Sequence, residues 1–599
     1  MPEYQAPGVY VEEESTGSKS VEGVSTSTAG FLGQTVRGPV EPQLITSYNE
    51  FERIYGSSPP ESDLDVAING FFKNGGSRCY VGRVTAADPN DVATRTLIDD
   101  EKNDVLELEA NGPGDWGENV AVIVRDGQHP DQFDLIVRYW SCDRAEVMDP
   151  DGDRPEPSPD VEEVFDGLSA DPKSSQFYEK QLTSSVLVEV EYLDDGQPKN
   201  GLVWLSRDDH DIRTDGGREI RTDGGVVEAD REDVLHIPDD LDELTDEDRE
   251  SLAESVDIDA DPSSEEFLDE LEQIRDGDRE VDAEVVTELP AQTQADAEPD
   301  TDAESDTAFE SDTEEEVSLS DYEGVDKPGL RTGLAAFKAI DDISLVCAPD
   351  ENDVQGLTDA LVAHCENMGD RFAILQSPQT PGPVSEMETP VDSSYAAYYY
   401  PWVKVLDPVT NREKLAPPGG HIAGIYSRSD ISHGVHKAPA NEPLRGIVGL
   451  QRDITKGEQD VLNPKGVNCI RSFQGRGTRV WGARTCSSDP EWKYINVRRL
   501  FLYIEQSLEE GTQWAVFEPN DEDLWARIRQ STEKFLKTVW REGGLQGSTA
   551  DEAFFVRCGE ETMTQDDIDN GRLIVEIGIA PVKPAEFVVF RISQDTGTA

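Results

Sequence analysis

Basic residues are scarce: 52 Lys and Arg stand against 126 Asp and Glu in 599 residues, a formal charge of −74. A surface of that sign repels other polyanions, which excludes a general role in coating DNA or an acidic membrane face. Apolar runs are short as well. No stretch of 18 apolar residues occurs, and the first residues form no hydrophobic segment of the secretory type. The expectation is a chain made and assembled in the cytoplasm, without signal peptide or transmembrane segment. Cysteine is sparse and unpaired. Cys79, Cys142, Cys347, Cys365, Cys469, Cys486 and Cys558 form no CxxC pair and are odd in number, so they read as buried thiols rather than a disulfide frame or zinc site.

Catalytic signatures are also missing. His433 and His436 make an HxxH within SHGVHK, but no HExxH surrounds them. Gly475, Gly477 and Gly482 miss the GxGxxG spacing and are followed by no P-loop lysine, and no GxSxG occurs. Asp149, Asp151 and Asp153 lack the rest of an EF-hand ligand pattern. The chain is therefore expected to be non-enzymatic, with no catalytic residues, cofactor or metal.

What is present is unevenly spread. Residues 226–325 hold 40 acidic and 4 basic residues, net −36, whereas residues 396–599 hold 28 and 25, net −3. Acidity this strong is expected of a protein working in a high-salt cytoplasm. The near-neutral last third reads either as a surface covered by its own core or partners, or as older blocks that escaped acidification.

Taken in order, residues 1–22 read as a short strand, Val9, Tyr10 and Val11, on a Ser/Thr/Gly-rich tether. Residues 23–85 open a mixed α/β domain, with Ser47 as a helix cap. Its continuation is expected at 326–395, where LRTGLAAFKAIDDISLVCAPD, GLTDALVAHCENMGD and RFAILQSP read as a parallel βαβ unit. Between them lie a β-rich insertion at 86–207, carrying LELEA, NVAVIVRD, FDLIVRYW, SSVLVEVEYL and GLVWLS, and an acidic insertion at 208–325. The latter repeats RTDGG and then lacks the apolar content to fold over 288–316; it reads as an outward, solvated, partly disordered surface.

Residues 396–599 form the last domain. Val497, Leu500, Phe501, Ile504 and Leu508 share one face of a helix for which Asn496 is the expected N-cap. A second helix, capped by Asn520 and ended by Gly543-Gly544, turns Leu524, Ile528, Phe535, Leu536 and Val539 inward. It also carries Arg527, Lys534, Lys537 and Arg541 on one stripe. That stripe reads as a face for an acidic partner, or as ordinary i,i+4 pairing through Asp523–Arg527 and Glu533–Lys537. Two strands close the chain, Leu573–Ala580 and Glu586–Ile592, the second containing Phe587, Val588, Val589 and Phe590. A Pro-separated terminal strand has open edges that a neighbour's arm can fill.

GHIAGIYSRSD, KAPANE, EQDVLNPKGVNCIR, GRGTRVWGARTCSSDPEWKYINVRRLFLYIE, GTQWAVFEPND and EIGIAPVKPAEFVVFRI occur in this order, and together they resemble the contractile tail sheath family. GPGDWGENV also resembles a loop of the inserted domain of many sheaths. The resemblance is strongest to sheaths of extracellular contractile injection systems. It implies an α/β multidomain fold whose C-terminal sheet is completed by terminal strands exchanged between subunits. It further implies hexameric rings stacked as a helical cylinder around an inner tube, bounded by baseplate and terminal cap proteins, that contracts and drives the tube through a target envelope. The mature particle is then released extracellularly or forms part of a virion. The linking strands are Val9–Val11 and Phe587–Phe590, and the candidate tube contact is Arg527, Lys534, Lys537 and Arg541. A contractile-tailed virus is the alternative setting; an acidic secreted adhesin is the rival from another class.

Overall fold

The computed structural model describes residues 21–207 and 317–587, apart from 130, 131, 153, 195 and 409. Between these blocks it gives the backbone of an antiparallel pair, Ile212–Asp215 with Arg218–Arg221, and a parallel pair, Val234–His236 with Glu284–Val286. Residues 208–314 form a compact unit of their own. The expectation for the acidic segment at 288–316 lies outside the described residues.

The fold is mixed α/β and multidomain, organised on an eight-stranded sheet. Its order is Gln43–Ile45, Cys79–Val84, Ala29–Gln34, Leu345–Cys347, Phe372–Gln376, Ala396–Tyr400, Val467–Phe473 and Gly477–Val480. The six inner strands are parallel, and the two edge strands run antiparallel to their neighbours, Gly477–Val480 as a hairpin with Val467–Phe473 and Gln43–Ile45 across two intervening helices. Both faces are buried, which explains the near-continuous apolar runs FAILQ and AAYYY. Successive side chains alternate between the two cores: Phe31, Cys347, Phe372, Ile374 and Tyr399 face one. Leu32, Val346, Ala373, Leu375 and Tyr398 face the other. The predicted βαβ unit is present as Leu345–Cys347, the helix Leu357–Met368, and Phe372–Gln376. This sheet runs on through Ala396–Tyr400 to Val480, so position 395/396 lies inside it.

Glycine spacing sets one face. The helix Gly419–His433 crosses the helix Leu64–Asn74 so closely that a Cβ on Gly420 would lie 2.1 Å from the Ala67 carbonyl oxygen, and one on Gly424 2.3 Å from that of Phe71. The G-G-H-I-A-G pattern of this block is a backbone-to-backbone contact. The glycines of FQGRGT serve differently: Gly475 and Gly477, at φ 77° and 71°, turn the edge hairpin.

The β-rich segment forms a four-stranded sheet ordered Gly201–Trp204, Val120–Asp126, Phe133–Tyr139, Val161–Leu168, and a three-stranded sheet ordered Thr94–Ile98, Asp104–Ala110, Val188–Tyr192. A separate apolar core lies between them. Buried Arg83 ties this unit to the central sheet by donating to the carbonyls of Gly38 and Pro113, both at 2.9 Å. In the GPGDWGENV loop, Trp116 is buried, donates to Pro113 O at 3.1 Å and packs edge-on to Tyr139.

Ser47 caps its helix as expected, accepting from Glu50 N. Two other caps move by one or two residues. The helix Ile495–Thr512 starts after Tyr494, which leaves Asn496 inside its first turn, buried and with its amide spent on other carbonyls. The helix Glu522–Arg541 is capped by Asp521, because the Asn520 side chain instead accepts from Trp525 Nε1 at 2.7 Å.

Replacing Gly424 by Ala should cost about 1–3 kcal/mol, because two backbones must separate to admit the methyl group. Gly457→Ala, which meets nothing within 4 Å, should be neutral or stabilising by about 0.4–1 kcal/mol. Guanidinium denaturation midpoints of the two variants check this; equal midpoints would remove the close-contact role.

Candidate assembly site

The helix Ile495–Thr512 holds both ends of the described chain. Its adjacent arginines do different work. Arg498 lies over the Trp492 ring at 3.5 Å and donates to Ser394 Oγ. Arg499 donates through two nitrogens to the two carboxylate oxygens of Asp430, at 3.1 and 2.7 Å, with both side chains 3% exposed. The third connection of this pair is to the N-terminal segment. Arg499 donates to Thr26 O at 2.7 Å, and Thr26 Oγ1 donates to Asp430 Oδ2 at 2.8 Å.

Neighbouring contacts extend the hold. Val24 N donates to Ser507 Oγ at 3.2 Å and Ser427 Oγ to Ser27 O at 2.7 Å. Val21 is buried against Gly511, where a Cβ would come within 2.7 Å of it. The N-terminal segment is thus fastened from residue 21 onward. Val9, Tyr10 and Val11 lie outside the described residues.

The C-terminal segment is fastened at the other end of the same helix. Asn496 donates to Val582 O at 2.9 Å, and Gln546 N to Ala580 O at 2.7 Å. Glu586 then receives two bonds from Arg484, both 2.7 Å, and one from Asn463 Nδ2 at 2.8 Å. Burial works to raise its carboxyl pKa, but these bonds, with the charges of Arg484 and Lys493, outweigh burial and hold it below the ordinary value. The next residue, Phe587, is 74% exposed and in no strand, since a strand needs a partner and none is at hand among the described residues. Val588, Val589 and Phe590 lie outside the described residues. From Asn496 to Gly511 the helix spans about 22 Å, which separates the two holds.

The expected strand Leu573–Ala580 is shorter, Glu576–Ile579, and pairs antiparallel with Phe554–Arg557. No further strand flanks this pair among the described residues. Phe555 and Ile577 are 46% and 36% exposed.

Arg527, Lys534, Lys537 and Arg541 share one stripe of the helix Glu522–Arg541. Arg527 pairs with Glu518 at 3.3 Å rather than with Asp523, and Lys537 pairs with Glu533 at 3.3 Å. Lys534 and Arg541 are exposed and make no ion pair with a described carboxylate. His433 Nδ1 lies 2.9 Å from Ser432 Oγ, and among the described residues no three His, Cys, Asp or Glu side chains gather as a metal site would require. No helix among the described residues is long and apolar enough to cross a membrane. The seven cysteines are free thiols, six of them buried.

The Arg499–Asp430–Thr26 link and the part-buried Arg484–Glu586 link were not found from sequence. Their one signal is the charge in otherwise apolar blocks, NVRRLFLYIE and WGARTC, where an arginine needs a partner.

Comparison with known proteins places this architecture. Over 100% of this chain and 99% of the other it matches, at TM-score 0.50 and 20% identity, a chain of an extracellular contractile injection system, the PVC sheath complex in its contracted state. The fold is therefore that of a sheath subunit. Residues 323–486 match the phage tail sheath protein central domain and residues 487–595 the phage tail sheath C-terminal domain. A chain of the anti-feeding prophage baseplate is 37% identical, covering 44% of this chain and 73% of that one, at TM-score 0.39. The tail sheath protein of Burkholderia phage BcepMu is 27% identical over 263 residues, 39% of this chain and 54% of that protein. The chain thus spans about half the length of that curated relative. This chain belongs to the phage tail sheath family.

Glu586 carries a pH test. A carboxyl held below its ordinary value of 4.5 stabilises the tail fully above that pH and loses the contribution as pH falls through the lowered value. At neutral pH Glu586→Gln should reduce amide hydrogen-exchange protection of residues 580–587 roughly tenfold, since it removes charge-assisted bonds. On acidification well below 4.5 the unaltered protein should lose that advantage. Equal protection at neutral pH would show that the carboxylate does not hold the tail.

Proposed function

We propose that this chain is a structural sheath subunit, non-enzymatic and without cofactor, that polymerises into a helical cylinder of stacked hexameric rings around an inner tube and contracts to drive that tube through a target envelope. The observation that carries this reading is the fastening of both terminal segments to one helix. A segment fixed at residue 21 leaves 20 residues that reach about 65 Å when extended, enough to leave the parent subunit. The pair Phe554–Arg557 and Glu576–Ile579 is a fitting recipient for Val9–Val11 and Phe587–Phe590 of neighbouring copies, because each strand has an open edge and exposed apolar residues. Heterologous contacts of this kind do not close and so propagate.

In this reading residues 1–22 are the linking arm, 86–207 and 208–325 are insertions, and the acidic one faces outward in a concentrated-salt medium. Residues 23–85 with 326–395, and 396–599, act as middle and C-terminal sheath domains sharing the central sheet. Baseplate and terminal cap proteins bound the cylinder. The resemblance carried by the six motif blocks favours an extracellular injection particle, with a virus tail as the second setting. Electron microscopy of native particles, with or without a capsid, separates the two.

Deleting residues 1–15 should leave a folded protein that no longer forms cylinders, scored by negative-stain microscopy beside circular dichroism. Cylinders of normal length from the truncated chain would refute strand linkage. The basic stripe is assigned to the inner tube: Lys534→Glu with Lys537→Glu should leave sheath-only polymers intact and impair co-assembly with the tube. Normal sheath-tube particles from the double variant would return the stripe to its local pairs.

A further inference from the structure

The turn that leads into the stripe helix carries a feature its own fold does not use. Glu518 N donates to Ala515 O at 3.2 Å, closing a four-residue turn. Val516 at φ −67° and ψ 132° followed by Phe517 at φ 68° makes it type II. The third position of that turn favours Gly or Asn, because a side chain there crowds its own backbone. Among the described residues five non-glycines have positive φ; three are Asn or Asp, and the others are Lys102 and Phe517. Phe517 therefore bears a backbone penalty, and its ring recovers none of it by burial: it is 102% exposed, with Val516 beside it 62% exposed.

The surroundings hold this tip out firmly. Trp514 and Ala515 pack into the cluster of Leu524, Trp525 and Ile528. On the far side, Asn520 accepts from Trp525 Nε1 at 2.7 Å and donates to Arg572 O at 3.1 Å. Arg527, the first residue of the basic stripe, donates to Glu518 at 3.3 Å and lies over the Trp514 ring at 5.3 Å. The apolar tip and the stripe therefore form one continuous surface. Its exposed charges, Lys534 and Arg541, call for carboxylates.

We infer that Val516 and Phe517 are an apolar anchor that seats in a hollow of the inner-tube protein rimmed by carboxylates, the strained backbone being kept because it fixes the ring in its bound position. This rests on the assignment of the stripe to the tube. An anchor held rigid before contact loses little conformational freedom on binding, and a single buried aromatic residue of this kind dominates many interfaces. The charges of the stripe orient the partner, and the ring supplies contact that salt does not screen.

Phe517→Gly is the decisive variant. Glycine suits the turn, so the thermal midpoint of the isolated subunit should stay the same or rise, and sheath-only polymers should form normally. The yield of sheath-tube particles on co-expression with the tube protein should fall at least tenfold. A lowered midpoint would show that Phe517 serves its own fold, and lost sheath-only polymers would show that it contacts another copy of this chain; either overturns the inference. If the Lys534→Glu, Lys537→Glu variant fails to co-assemble while Phe517→Gly assembles fully, the stripe keeps its partner and the anchor falls. If both assemble fully, the tube lies elsewhere and both assignments fall.

Discussion

The buried pair Arg499–Asp430 is the constraint on which the C-terminal half and the N-terminal segment both depend. Two charges at 3% exposure have lost most of their hydration, and their attraction repays that only if every remaining donor and acceptor is satisfied. Burial pushes the Asp430 carboxyl up, and Arg499 and Thr26 work against it through bonds to both oxygens. Thr26 is thus part of the pair's solvation. Removing either charge from such a site typically costs about 3–5 kcal/mol, because the other is stranded. The chain closes on itself here across more than 400 residues.

In the proposed polymer, held together through the ends of its subunits, that closure has a mechanical meaning. A linker transmits force only if it is fastened at a defined point on a stiff body. On the N-terminal side the fastening is the buried pair with Ser507 and Ser427; on the C-terminal side it is Arg484 with Asn463 around Glu586. Arg499 and Ser507 on the one side, and on the other Asn496, which donates to Val582 O ahead of Glu586, belong to one 18-residue helix, and that helix packs against the central sheet through Ile495 and Leu502. Contraction by rigid-body movement of subunits with intact tethers would be compatible with such a plan, because no element of the central sheet would then have to change its pairing.

The central sheet supplies the stiffness. Six parallel strands are covered on both faces, and on one face the two covering helices Leu64–Asn74 and Gly419–His433 reach backbone contact with each other through Gly420 and Gly424. Close-packed interiors of this kind move as units. The β-rich segment keeps its own core and joins through Arg83, a buried guanidinium satisfied by carbonyl oxygens.

The alternating strands of the β-rich segment, the βαβ unit, the two long helices and the Ser47 cap were legible in the sequence, because each follows from local periodicity or turn chemistry. The six motif blocks carried the family for the same reason: they are contiguous. Local pattern was weaker where tertiary contacts compete. Asn496 and Asn520 have cap-forming side chains, yet Val582 O and Trp525 Nε1 took them. The stripe Arg527, Lys534, Lys537 and Arg541 was visible as spacing, but only the structure showed that Arg527 turns back to Glu518 across the Val516–Phe517 turn. The pairing of Arg499 with Asp430 and Thr26, and of Arg484 with Glu586, was decided by tertiary structure alone. Each joins residues 69 to 473 positions apart, and a charge in an apolar run announces that it needs a partner without saying which one the fold will bring.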